Sequence, residues 1–254
     1  MARICRRLDG LPLAIELAAA RCDLLSVDEL ASRLTAALPL LTGGARDAPA
    51  RQRTLRATVD WSHKLLTTDE RRTFAMMAVF AGGATVTAAE TVTGAALDTL
   101  DSLVAKQLLR RGAQRLHMLE TVHEYALERL AEQPAGDGAW RRLAEWCRDL
   151  AREALASLSG TDRVRTLAWL DAELPNALSA LEAALDRGRL DVGVDLVEAW
   201  SHYLWLGLRR EQGLRWIDAV LAFAGDPAPE LLACARAGRG PAHHRPPVAT
   251  IRTC

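Results

Sequence analysis

Few side chains in this sequence stand where they could do chemistry. Phosphoryl transfer needs a loop of backbone N–H groups, a lysine and a carboxylate-held Mg²⁺. No G-x-x-x-x-G-K-[ST] occurs, and the Gly43-Gly44 pair neither follows a strand nor precedes Lys-Ser/Thr. Nucleotide hydrolysis by this chain alone is therefore not expected, and no catalytic residue is assigned. His243-His244 offers imidazole nitrogens, but an adjacent pair without further ligands does not make a metal site. Cys5, Cys22, Cys147, Cys234 and Cys254 are scattered and never spaced C-x-x-C, which argues against a disulfide framework or a zinc site. Reduced thiols in a cytoplasmic protein are the simple expectation. The other candidates are electrostatic. Arg110, Arg111 and Arg115 crowd around Gly112-Ala113-Gln114. Cations on such a turn can contact phosphate oxygens, though a solvated hairpin carries the same residues.

The elements that position these residues are mostly helical. Leu and Ala dominate, and β-branched and aromatic residues are sparse, a composition that favours helices. Half of the 254 residues are hydrophobic, and Lys plus Arg equals Asp plus Glu at 32 each. A net charge of zero gives no global attraction to nucleic acid or to an anionic membrane. No apolar run approaches the ~20 residues of a membrane-spanning helix. Arg3, Arg6 and Arg7 before an apolar stretch imitate a secretory signal, but Asp9 and Glu16 interrupt it.

Helical spacing predicts a first helix from Pro12 to Leu25 and a second, capped by Ser26 and Glu29, to Leu38. Turn residues follow from Pro39 to Arg53. Thr54 opens a helix over 55–66, and Thr67 with Glu70 opens another to Phe80. Thr87 with Glu90 opens a short fifth, and a sixth runs from Leu97 to Lys106. Residues 108–111 and 115–118 then read as a short hairpin, followed by a helix over 119–131. That order is a winged-helix pattern. Past a linker at 134–138, helices are predicted at 139–158, 161–185, 191–207 and 209–223, with tryptophans expected in their core. From about Asp226 the composition turns to Arg, Gly, Pro and His, so the tail is either disordered or out of its proper reading frame.

Four segments carry a family resemblance: Gly10-Leu11-Pro12-Leu13-Ala14-Ile15, Thr54 to Ser62 (TLRATVDWS), Val79 to Gly83 (VFAGG), and Met118 to Ala126 (MLETVHEYA). In this order they resemble the back half of the NB-ARC-type signal-transduction NTPases, the STAND class, especially its bacterial LuxR-type and antibiotic-regulatory transcriptional regulators. The resemblance covers roughly residues 1–225. It implies a mainly α fold: a small helical domain (1–48), a winged-helix domain (49–133), an antiparallel TPR-like helical array (138–225) and a tail (226–254). It also implies that the P-loop domain, which precedes these parts in the family, lies outside the chain. In that family the GLPL proline lies against adenine, which maps to Pro12; the residues alone need only a helix start there. A histidine that senses the β-phosphate maps to Leu119, whose side chain cannot donate a hydrogen bond. His123, one helical turn on, reads as a surface residue.

The leading expectation is thus a non-catalytic regulatory and interaction portion of a transcriptional regulator. It would bind ATP or ADP only together with a P-loop domain and would contact protein partners through its array. A stand-alone winged-helix DNA-binding regulator is the alternative. Its groove helix, 97–106, would set Asp98 and Asp101 against Lys106 alone, and basic and acidic residues balance at nine each across 55–130. DNA binding by this chain alone, and membrane association, are not expected.

Overall fold

The computed structural model describes residues 12–19, 25–33, 55–134, 136–157, 162–206 and 209–224, together with Ile4, Leu8 and Cys22. The predicted continuation of the second helix to Leu38, the 39–53 loop, the Thr54 cap, His243-His244 and the 226–254 tail lie outside these residues. The chain divides into two compact units, 1–143 and 144–254. It is mainly helical, with one short antiparallel hairpin among the described residues.

In the first unit, α1 (Pro12–Ala19) opens on proline, whose missing N–H costs nothing at a first helical position. Helix α2 (Val27–Arg33) carries the predicted capping box. The Ser26 hydroxyl accepts from the Glu29 N–H (3.3 Å), and the Glu29 carboxylate accepts from the Ser26 N–H (2.9 Å). Helix α3 (Leu55–Lys64) buries Val59 on its inner face. Helix α4 (Thr68–Met77) starts at the predicted Thr67–Glu70 box and buries Phe74, Met76 and Met77. It ends before the predicted Phe80. Ala78, Val79 and Phe80 donate instead to carbonyls three residues back, a tightened exit rather than a further α turn.

Further boundaries differ from the sequence reading. Helix α5 (Val86–Thr93) is capped by Thr85 rather than Thr87, because Thr85 holds the extended backbone and its hydroxyl accepts from the Ala88 N–H. The hairpin is shorter: β1 (Arg110–Arg111) pairs with β2 (Leu116–His117). Leu108 and Leu109 are buried before it, and both of their N–H groups donate to the Leu103 carbonyl at the end of α6 (Leu97–Ala105). Ala84 adds a bridge that no local pattern in the sequence predicts. It exchanges two hydrogen bonds with Leu116, at 2.9 and 2.7 Å, so β2 is paired on both sides. The order helix, bridge, helix, helix, hairpin is that of a winged helix, closed by α7 (Glu120–Ala131), which packs with α3 and α4.

The predicted linker at 134–138 is largely helix. Helix α8 (Gly136–Ser157) begins on Gly136, where a Cβ would lie 2.7 Å from the Leu130 carbonyl oxygen. The second unit contains α8 from Ala144 on, α9 (Arg163–Asp186), α10 (Leu190–Leu206) and α11 (Arg210–Ala224). Helix α10 packs against both α9 and α11. The three-residue turn between α9 and α10 places Gly188 at φ +67°, where a side chain is disfavoured. Trp200 and Trp216 fill the core, with ring centroids 6.1 Å apart, and the Trp200 indole donates to the Cys147 carbonyl of α8 (3.0 Å). Trp169, expected in the core, is instead exposed. Among the described residues no helix is long and apolar enough to cross a membrane.

Candidate functional site

The surface with the clearest functional question is the one formed by α6 and the hairpin. Helix α6 buries Leu100 and Leu103 and turns Leu97, Asp98 and Asp101 outward. Its one cation, Lys106, stands at the C-cap and is already engaged: its ammonium pairs with the Glu70 carboxylate at 2.5 Å. The same carboxylate accepts from the Ser102 hydroxyl (2.5 Å) and the Thr67 backbone N–H (2.7 Å). The Lys106 bond, then those from Ser102 and Thr67, hold its pKa down at about 2 against an ordinary 4.5. Glu70 is therefore ionised at neutral pH and spends its charge on Lys106. What α6 offers outward is two carboxylates.

The three wing arginines separate into two roles. Arg115 does not extend into solvent. Its guanidinium is half-buried and donates to the carbonyls of Gly82 (3.2 Å) and Gly83 (2.7 Å), tying β2 to the turn after α4. That explains the turn's glycine. Gly83 sits at φ +70°, and a Cβ there would lie 2.4 Å from His117 Nδ1 and 2.6 Å from the Leu116 carbonyl oxygen. Arg110 and Arg111 are exposed on β1. The positive patch is thus two residues on one two-residue strand, not three converging groups.

Leu119 occupies the N-cap position of α7, with extended backbone and no side-chain cap. Its carbonyl accepts the His123 N–H (2.8 Å). His123 is not the surface residue the sequence suggested. Its ring is half-buried, and Nε2 hydrogen-bonds the Ala78 carbonyl (2.8 Å), fastening α7 to the exit of α4. Pro12 is the first residue of α1, and its side chain lies outside the described set.

Sequence reasoning missed the polar seam along α3 and α7. Arg56 pairs with Glu128 through two bonds of 2.8 and 2.5 Å, and the buried Tyr125 hydroxyl donates to Asp60 (2.8 Å). Burial, then the bond to Asp60, pushes the Tyr125 phenol up to about 12. The Arg129 guanidinium lies 5.1 Å from the centre of the Tyr125 ring. Separations of 65 and 72 residues hide these pairs from any local pattern. Only the motif segments TLRATVDWS and MLETVHEYA hinted that the two helices matter together.

The chain is similar to a "Putative HTH-type transcriptional regulator" of Mycobacterium bovis and one of the same name in Mycobacterium tuberculosis. Each is 37% identical over 233 residues, 86% of this chain and 26% of the relative. An "Uncharacterized protein" of Mycobacterium bovis is 42% identical over 152 residues, 55% of this chain and 38% of its own length. The chain therefore spans about a quarter of the regulators it matches. No family profile and no solved structure matches it.

Proposed function

We propose that this chain acts as the non-catalytic regulatory portion of a cytoplasmic transcriptional regulator of STAND type. In this reading the winged-helix unit and the helical array relay the nucleotide state of a P-loop domain to an effector or partner protein. ATP or ADP is held only jointly with that domain, with Pro12 at the adenine and no phosphate sensor at Leu119. The names of the mycobacterial relatives support the regulatory part, and the ordered motifs from GLPL to MLETVHEYA support the STAND part.

One observation carries the choice of relay over DNA reader: α6 turns Asp98 and Asp101 outward while Lys106 is consumed by Glu70. DNA affinity comes mainly from cations on phosphates, and carboxylates in a groove oppose it. The helix-turn-helix in the relatives' name belongs to proteins about four times as long as the matched stretch. On the hairpin, the alternative of direct DNA binding in its own right draws on Arg110 and Arg111. Selection of the full chain against random duplex DNA at 50 to 200 mM salt decides between them. The relay reading expects no sequence-selective retention. Selective retention that falls steeply with salt and disappears in the Arg110→Glu, Arg111→Glu double variant would establish the alternative.

A further inference from the structure

We propose that α3 is docked onto α4 and α7 through a contact that proton binding at His63 weakens, so that mildly acidic pH loosens this one helix while α4 and α7 stay folded.

His63 sits in the last turn of α3, with its ring half-buried between two aromatic side chains. The ring centroid is 5.6 Å from that of Phe74 on α4 and 5.5 Å from that of Tyr125 on α7. Phe74 and Tyr125 are themselves 6.3 Å apart, so the three rings form one cluster across the three helices. Nε2 is buried and has no hydrogen-bond partner. A neutral imidazole tolerates this as a largely apolar ring. A protonated one would hold a charge and an unmatched N–H donor there.

The charged groups facing the ring make that worse. Arg71 of α4 and Arg129 of α7 oppose a positive charge on it, and Asp60 of α3 and Glu132 of α7 favour one. The two carboxylates are already committed. Asp60 accepts from Tyr125 (2.8 Å) and pairs with Lys64 (2.7 Å), and Glu132 pairs with Arg129 (2.8 Å). Arg71 is anchored nearby by donating to the Lys64 carbonyl (3.0 Å). Burial first, and then the two arginines, hold the His63 pKa below its ordinary 6.5. For a histidine with a lowered folded-state value, the docking free energy is complete above pH 6.5 and is lost as pH falls through the lower value. The other ties of α3, Arg56–Glu128 and Tyr125–Asp60, involve carboxylates held below their ordinary range, so they do not titrate in this window.

Hydrogen exchange of the full chain between pH 7.5 and 5.5, corrected for intrinsic rates, tests this. Protection over 55–66 should fall up to about tenfold per pH unit once the group titrates, the limit for a single proton. Protection over 68–77 and 120–131 should hold. His63→Phe keeps the ring packing without a titrating nitrogen, and its 55–66 segment should be flat with pH. Parallel loss in wild type and variant, or loss of all three segments together, would overturn the proposal. If the variant does not fold, an NMR titration of His63 in the wild type decides alone: a pKa below 6.5 supports the proposal, and one at or above 6.5 ends it.

Discussion

Glu70 joins two pieces of local structure through one carboxylate. It closes the capping box of α4 on Thr67 and reaches Ser102 and Lys106 at the far end of α6. Replacing it with glutamine keeps an acceptor oxygen but removes the charge. The expected loss is about 1–3 kcal/mol, the range for a buried hydrogen-bonded group losing a charged partner. The pH dependence has a definite sign. A carboxylate lowered to about 2 from 4.5 contributes stability that is complete above pH 4.5 and is lost as pH falls toward 2. Thermal unfolding from pH 6 to 2.5 should show that acid limb in the wild type and a shallower one in Glu70→Gln. Gly83 is a second sensitive position. Alanine there would meet the Leu116 carbonyl and would sit in left-handed backbone, which by itself costs about 1–2 kcal/mol. Gly83→Ala should lower the melting temperature, and an unchanged value would contradict the turn geometry.

The wing and the helical array differ in what a substitution should do. Arg110 and Arg111 project from β1, whereas Arg115 ties β2 to the Gly82-Gly83 turn. Arg115→Ala should loosen the hairpin, seen as faster exchange of the Leu116 N–H that bonds Ala84, while Arg111→Ala should leave that amide protected. In the array, Trp200 is fully buried and packs against Tyr203 and Trp216. Trp200→Ala should cost about 3–5 kcal/mol through the cavity it leaves. Its effect should appear as lost exchange protection in α9 to α11. Helix α9 tolerates Pro175 in its interior, a residue that costs about 3 kcal/mol in an isolated helix. Burial of Leu170, Ala177, Ala180 and Leu181 on the same helix offsets that cost.

The chain carries no net charge, so its total charge gives no overall attraction to a polyanion. Its second unit leaves apolar side chains uncovered: Val164 is 81% exposed, Phe223 54% and Trp169 38%. Stacked helical units need neighbours to cover such faces. Sedimentation velocity of the full chain should therefore show concentration-dependent association, reduced by Phe223→Ser. A dilute monomer at all concentrations would argue against an uncovered stacking face. The proposed division of labour with a P-loop domain makes a further prediction. A fluorescent ATP analogue should show no saturable binding to this chain alone, and submicromolar binding would reject that division.

Patterns local in the chain are legible in the order of its residues. The Ser26–Glu29 and Thr67–Glu70 boxes and the positions of α6 and of the later helices follow from side chains three or four residues apart. Such contacts need only the helix's own geometry, so the sequence by itself determined where most of the described helices lie, and it contains no G-x-x-x-x-G-K-[ST] motif. Other features required chain segments to meet across long separations. Ala84 completing the hairpin, Glu70 neutralising Lys106, Arg115 turning inward, His123 fastening α7 to α4 and the α3–α7 seam are all of this kind. Their partners lie some 30 to 70 residues apart, and only the packed tertiary structure brings them within hydrogen-bond reach. That is why the sequence could count nine charges of each sign in the winged-helix region, while the tertiary structure decided which of them remain available to a partner.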